Sequence, residues 1–302
     1  MFSFVSAIQS AILSTPFARR AASVLVLFVI SASLIFPNLS YPRLTIFDEV
    51  YFIPAAQKYL NHVFFLEPHP PLGKLLIAAG QAWLHPDAPS NSVVDTDKMD
   101  KDWDPDEDIL GYRLVPALLG VLNPILIFLI LAIVLRSNLY ALILGLVVAL
   151  DNALLIQSRA GLLDSILLFF CLASIFTFLY QNHRLNRPWW KFLLLTVIWG
   201  AVTACAANVK LTGLFVGILV PVFALRLLLA RQFMRTLIFL LVFAGIFVIV
   251  FFGLWQVHFS IAHKIGNNDY GITEEYKRIL SGDDQPDPAT RFIIEMSNAF
   301  EF

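Results

Sequence analysis

Charge is scarce in this 302-residue chain: Asp, Glu, Lys and Arg together supply only 14% of it. Soluble globular domains carry about 25% charged residues, so an ordinary water-facing surface is excluded. Cysteine is scarcer still. Cys171 and Cys205 stand far apart inside apolar runs, which leaves no disulfide framework and no cysteine-rich metal centre, only two small packing residues. No G-x-x-x-x-G-K-[ST] loop occurs, so cytosolic nucleotide chemistry has no support. No basic surface of the kind that binds nucleic acid is visible, and no internal repeat. No small-residue cleavage site follows the first apolar run, which therefore reads as a retained anchor rather than a signal peptide.

What the chain does have is hydrophobic length. Apolar residues make up 58% of it, and the mean hydropathy is +0.75. The runs are Ala21–Pro37, Leu110–Leu135, Leu139–Ile156, Gly161–Tyr180, Trp189–Ala207, Leu211–Ala230 and Thr236–Val257. Each approaches the roughly 20 residues a helix needs to cross a bilayer. A shorter run, Leu75–Leu84, is too brief to cross and reads as a re-entrant or interfacial helix. The expected fold class is all-α: a polytopic membrane bundle of about seven transmembrane helices. Residues 1–20 form a cytoplasmic N-terminus, 21–37 the first span, 38–109 an outer loop, 110–257 six further spans and 258–302 an outer C-terminal segment.

Acid is missing from one face, and that fixes the expected orientation. With the N-terminus cytoplasmic, the inside segments hold Arg19, Arg20, Arg136, Arg184, Arg187, Lys191, Arg226, Arg231 and Arg235. All 22 acidic residues fall on the outside or at outer helix ends. This is the positive-inside pattern. The outer loop includes an acidic stretch from Asp87 to Asp108 with the spacing D-x-D-x-x-D-x-D-x-D. It lacks the turn glycine and closing bidentate Glu of a calcium loop, so it reads as a solvated linker.

Chemistry concentrates at the outer ends. Asp48-Glu49 is an adjacent carboxylate pair beside the first anchor, and His69-Pro70-Pro71-Leu72-Gly73-Lys74 follows twenty residues on. Such a pair reads either as a solvated helix start or as a charged site. Arg113 opens the second span, Asp151-Asn152 lies near the outer end of the third, and Gln157-Ser158-Arg159 with Asp164 forms the next outer turn. Asn208 and Lys210 form the turn between the fifth and sixth spans. A bland reading pairs Arg159 with Asp164 across their turn and lets Lys210 snorkel to the interface. The alternative is a site for an anion at the membrane surface, and a lipid-borne phosphate is the anion that reaches this depth. A carboxylate repels such a ligand, yet it suits a general base that deprotonates an acceptor hydroxyl.

Five motifs together resemble the protein O-mannosyltransferases, lipid-carrier-dependent glycosyltransferases of the GT-C fold. They are F-D-E-V-Y-F at Phe47–Phe52, H-P-P-L-G-K at His69–Lys74, Y-R-L at Tyr112–Leu114, D-N-A-L-L-I-Q-S-R-A-G-L-L-D at Asp151–Asp164, and K-L-T-G-L-F at Lys210–Phe215. The resemblance covers about Thr45 to Phe259 and implies a bacterial-type member, N-terminal part, without the sugar-binding insert of eukaryotic ones. It implies a polyprenyl-phosphate-mannose donor, inverting transfer to Ser or Thr hydroxyls of secreted or membrane proteins, and an active site on the periplasmic or lumenal face. Asp48 takes the catalytic role and Glu49 helps to bind or orient. The family's R-L motif places Arg113 in the same site. Arg113, Arg159 and Lys210 are then expected to hold the donor phosphate, with His69, Lys74 and Asp164 in support. No cofactor is called for, and cationic side chains make a metal unnecessary to the scheme. Transfer to a glycolipid acceptor, a lipid-sugar transporter and a non-catalytic fragment are the competing readings.

Overall fold

The computed structural model describes residues 15–85, 108–266 and 272–300. The acidic linker, apart from Asp108, lies outside them. Among the described residues the secondary structure is helical, with one isolated bridge between Val63 and Lys264.

Helix α1, Pro16–Ile35, starts on a Thr15 cap whose hydroxyl accepts from the Ala18 N–H at 3.1 Å, with proline in the first turn. It buries Ser23, Leu27, Ser31 and Ile35, one residue per turn, and leaves Leu25, Phe28 and Val29 outward. A narrow inner stripe with an apolar outer face is what a lipid-facing helix requires. Two short helices follow, α2 at Glu49–Leu60 and α3 at Leu72–Leu84. The bundle proper consists of α4 Leu110–Val134, α5 Asn138–Ala149, α6 Asn152–Arg159, α7 Asp164–Asn182, α8 Trp189–Val209, a tight 3₁₀ segment Leu211–Ile218 running into α9 Leu219–Leu229, and α10 Phe233–Ile261. Beyond it lie α11 Glu274–Ser281 and α12 Pro288–Phe300.

Among the described residues six helices are long and apolar enough to cross a membrane, or seven if the bent pair α5–α6 is counted as one span. The third run, Leu139–Ile156, is therefore divided between two helices bent by 60°. Asp151 is the cause. Its backbone is extended, and its carboxylate accepts the Leu154 N–H at 2.9 Å, which ends one helix and caps the next. The sixth span differs too, beginning as 3₁₀ turns. There Gly213 lies against the α8 backbone, where an added Cβ would overlap the Ala206 carbonyl. The short apolar helix exists as expected but starts earlier, at Leu72.

Polar cross-ties and aromatic stacking hold the spans together. The Ser165 hydroxyl donates to the Pro116 carbonyl at 3.1 Å, and the Asn123 amide donates to the Ser165 carbonyl at 3.1 Å. Trp199 of α8 donates from Nε1 to Ser174 of α7 at 3.0 Å and meets Phe239 and Phe243 of α10 at centroid distances of 5.4 and 5.3 Å. Lipid tails offer no hydrophobic contrast, so such packing and hydrogen bonding carry the association.

The motif residues gather at one end of this bundle, opposite the end that bears Arg136, Arg184 and Arg231. The segment after α10 closes over them. Phe64 N–H donates to the Lys264 carbonyl at 2.8 Å, and Tyr276 of α11 packs edge-on against Phe64 at 5.0 Å.

Candidate functional site

The site begins at a strained residue. Phe47 has φ of +50°, a left-handed conformation costly for a bulky side chain, and its ring is exposed. Helix α2 starts immediately afterwards, so its adjacent acids diverge. Glu49 is completely buried, while Asp48 is exposed and its carboxylate has no hydrogen bond or ion pair among the described residues.

Glu49 is fully engaged. Its Oε1 accepts from Arg113 Nε at 2.8 Å and from the Gly161 N–H at 2.6 Å; its Oε2 accepts from Arg113 Nη2 at 2.7 Å and from the Ile46 N–H at 2.9 Å. Arg113 is equally saturated. Its remaining donors go to the carbonyls of Leu39 (3.2 Å), Pro42 (3.0 Å) and Leu44 (3.0 Å), and it has no exposed surface. A guanidinium offers five N–H groups, and all five are used. The expectation that Arg113 holds a phosphate meets a geometry with no donor to spare. The bidentate pair instead ties the segment entering α2 to α4 and to the turn before α7.

Arg159 departs from expectation in the same way. Its two terminal nitrogens donate to the carbonyls of Leu34, Ile35, Pro37 and Asn38 at 2.9, 2.9, 2.9 and 3.2 Å. These are carbonyls at and beyond the end of α1, so Arg159 caps that helix and complements its dipole. It does not pair with Asp164.

Asp164 pairs with Lys210 at 2.8 Å, at the meeting of α7 with the 3₁₀ segment. Both are partly open to solvent, with 41% and 18% of their side chains accessible. Of the three cations expected at a phosphate, Arg113 spends all its N–H groups and Arg159 its four terminal ones on protein acceptors, while the Lys210 ammonium has a single acceptor, Asp164. Asn208, two residues before Lys210, is buried and donates to the Ala204 carbonyl at 3.0 Å.

His69 faces this pair. Burial depresses its pKa, Glu67 raises it, and Lys210, Lys74 and Asp164 act more weakly, so the ring stays neutral at neutral pH. Its backbone is held by Lys74, which is almost wholly buried and donates both to the Glu67 carboxylate and to the His69 carbonyl. Burial pulls the Lys74 ammonium below its usual range while Glu67 holds it up. Gly73 lets this turn sit against Leu163, where a Cβ would overlap the leucine side chain. Sequence reasoning missed Glu67. The available signal was a lone acid in the apolar stretch F-F-L-E-P, seven residues before Lys74. It also missed Tyr59 and His258, which share a hydrogen bond of 2.7 Å beside a small recess that Glu67, His69 and Lys74 also line. Among the described residues, no cluster of His, Cys, Asp and Glu has the arrangement of a metal site.

The arrangement is an exposed carboxylate at a strained helix start, a solvent-reachable Lys–Asp pair, and a buried polar cluster between them and the last span. Comparison with known proteins identifies the family. The family model described as dolichyl-phosphate-mannose-protein mannosyltransferase matches residues 25–265. A Mus musculus protein O-mannosyl-transferase 1 is 32% identical over 261 residues, 81% of this chain and 34% of that protein. A Candida albicans dolichyl-phosphate-mannose–protein mannosyltransferase 2 is 30% identical over 267 residues, 79% of this chain and 32% of that one. The chain thus spans about a third of the length of these curated relatives. The solved S. cerevisiae protein O-mannosyltransferase complex bound to the sugar donor shares the fold, with a TM-score of 0.75 at 21% identity, over 87% of this chain and 37% of that one. With its apolar spans and this match over most of its length, the chain is an integral multi-pass membrane protein and belongs to the dolichyl-phosphate-mannose-protein mannosyltransferase family.

Proposed function

We propose that the protein transfers mannose from a polyprenyl-phosphate-mannose donor to Ser or Thr hydroxyls of proteins at the outer membrane face, with inversion. One observation carries this reading: of the adjacent acids, Glu49 is neutralised by Arg113, whereas Asp48 is exposed with its carboxylate unpaired among the described residues. A carboxylate in that position acts as a general base. Asp48 takes the proton of the acceptor hydroxyl, and the oxygen attacks the anomeric carbon. The bond from that carbon to the phosphate oxygen breaks, and polyprenyl phosphate leaves with the electron pair. Lys210 neutralises the developing charge on the phosphate, with Asp164 keeping the ammonium in place until the donor arrives. Neutral His69 borders the same pair and can accept a hydrogen bond there.

The donor role of Lys210 is tested by titrating donor and acceptor peptide separately. Lys210→Ala raises the donor concentration for half-maximal rate about 10-fold or more and leaves the acceptor's unchanged, because a charge-assisted bond contributes about 1.5–3 kcal/mol. A shift confined to the acceptor moves Lys210 to the other half of the site.

Sidedness is tested by labelling. In a Cys171→Ala, Cys205→Ala background, cysteines replacing Lys264 or Asp283, both exposed, react with an impermeant maleimide from outside. A cysteine replacing His183 reacts only after the membrane is opened, since the basic helix ends face the cytoplasm. Outside labelling of position 183 overturns the orientation.

A further inference from the structure

The end of the bundle opposite the motif residues carries cations that no acid balances. Neither the turn from α7 to α8, residues 181–192, nor the turn from α9 to α10, residues 226–236, contains Asp or Glu. At the motif end cations are paired instead, as in Arg113–Glu49, Lys74–Glu67 and Lys210–Asp164. The two basic turns lie against each other. The Gln232 amide donates to Asn186 Oδ1 at 2.7 Å, and Arg235 donates to the carbonyls of Leu185 and, at 2.8 Å, Arg187. Arg187 is likewise spent, donating to the Tyr180 carbonyl at 2.6 Å.

Arg184, Lys191 and Arg231 border these ties and are exposed. Their side chains make no hydrogen bond or ion pair among the described residues. Arg231 also holds a costly backbone. After α9 its N–H donates to the Leu228 carbonyl at 2.8 Å, and the Gln232 N–H donates to the Leu227 carbonyl at 2.9 Å. That pattern makes Arg231, with φ of +57°, the left-handed residue of a helix-ending turn. Glycine takes this conformation without strain, so an arginine there points to a use for its guanidinium.

The Lys191 ammonium lies 5.0 Å from the centre of the Trp190 ring, which is largely exposed. An exposed indole beside a cation marks the headgroup level of a bilayer. Further into the span, Leu194 and Ile198 continue the outward stripe of Trp190 at helical spacing, and both are exposed. Like charges gathered on two adjoining turns repel, and an anion between them removes that repulsion. A soluble phosphate would use the cations alone, whereas a phospholipid also lays an acyl chain along the apolar stripe. We infer that Arg184, Lys191 and Arg231 form a site for the phosphate of an anionic glycerophospholipid, with Trp190, Leu194 and Ile198 against its chain. The site lies at the other end of the bundle from Asp48 and Lys210 and does not depend on the proposed transfer.

Titration of the full purified chain in neutral detergent with phosphatidylglycerol or phosphatidylcholine, read by thermal unfolding, tests the site. Phosphatidylglycerol raises the melting temperature at far lower concentration than phosphatidylcholine does. Glycerol phosphate, which lacks acyl chains, has no effect. Arg231→Gly relieves the strained backbone yet weakens phosphatidylglycerol binding about 5-fold, since one cation near anionic lipid contributes about 1 kcal/mol. Removing all three charges, with Arg184→Gln, Lys191→Gln and Arg231→Gln together, weakens it about 100-fold. Arg278→Gln, which removes an exposed cation at the opposite end, changes nothing. Equal action of the two lipids, or phosphatidylglycerol binding unchanged by Arg231→Gly or by the triple substitution, overturns the inference. A response to glycerol phosphate equal to that of phosphatidylglycerol replaces the lipid with a free anion and overturns it too.

Discussion

Asp48→Asn lowers mannosyl transfer at least about 100-fold while the protein still inserts into membranes and keeps its melting temperature. Asn is nearly isosteric with Asp and cannot take a proton at neutral pH, and general-base catalysis supplies about 100- to 10,000-fold. The structure sharpens this expectation, because Asp48 is exposed and its carboxylate makes no hydrogen bond or ion pair among the described residues. A stability loss therefore cannot account for a lost rate. Transfer is measured with isolated membranes, a lipid-linked mannose donor and a Ser/Thr-rich acceptor peptide. Wild-type turnover by the Asn variant removes Asp48 from the role of base.

Arg113→Ala has the opposite signature: the fold gives way. The substitution leaves the Glu49 carboxylate buried without its counter-charge and strands the carbonyls of Leu39, Pro42 and Leu44. Breaking a buried ion pair from one side costs about 3–5 kcal/mol, a large fraction of any domain's stability. Arg113→Lys rescues little, since an ammonium cannot reproduce the planar fork. Removing both charges, as in Glu49→Leu with Arg113→Met, recovers more stability than Arg113→Ala alone retains, because no charge is left unpaired. Thermal unfolding in detergent, followed by tryptophan fluorescence, reads all four proteins. An Arg113→Ala protein that melts like wild type but no longer binds donor would restore the phosphate role implied by the family resemblance.

These two expectations separate residues that sit together in the sequence motifs. F-D-E-V-Y-F places Asp48 and Glu49 side by side, and nothing in their order says which one is free. Successive residues at a helix start are rotated by about 100°, so one acid turns into the protein and its neighbour turns out. The strained Phe47 precedes this divergence, and no pattern in the sequence announces its left-handed backbone. Arg159 and Lys210 pose the same problem. Each is a lone cation at a helix end, yet one donates to four carbonyls at and beyond the end of α1 and the other keeps N–H groups to spare.

The sequence by itself determined the membrane-spanning helices. Backbone groups in lipid must bond within their own segment, so a long apolar run has helix as its sole solution in an all-α bundle. It also determined that the ionisable motifs share one end, because the spans alternate in direction. Only the tertiary structure decided which of those charges are spent and which are available. Pairings such as Glu49 with Arg113, 64 positions apart, and Asp164 with Lys210, 46 apart, arise from how helices pack, and packing follows shape complementarity that no local pattern records. The same reason hid the bend at Asp151, where a side-chain cap outcompeted the continuity of an otherwise apolar run.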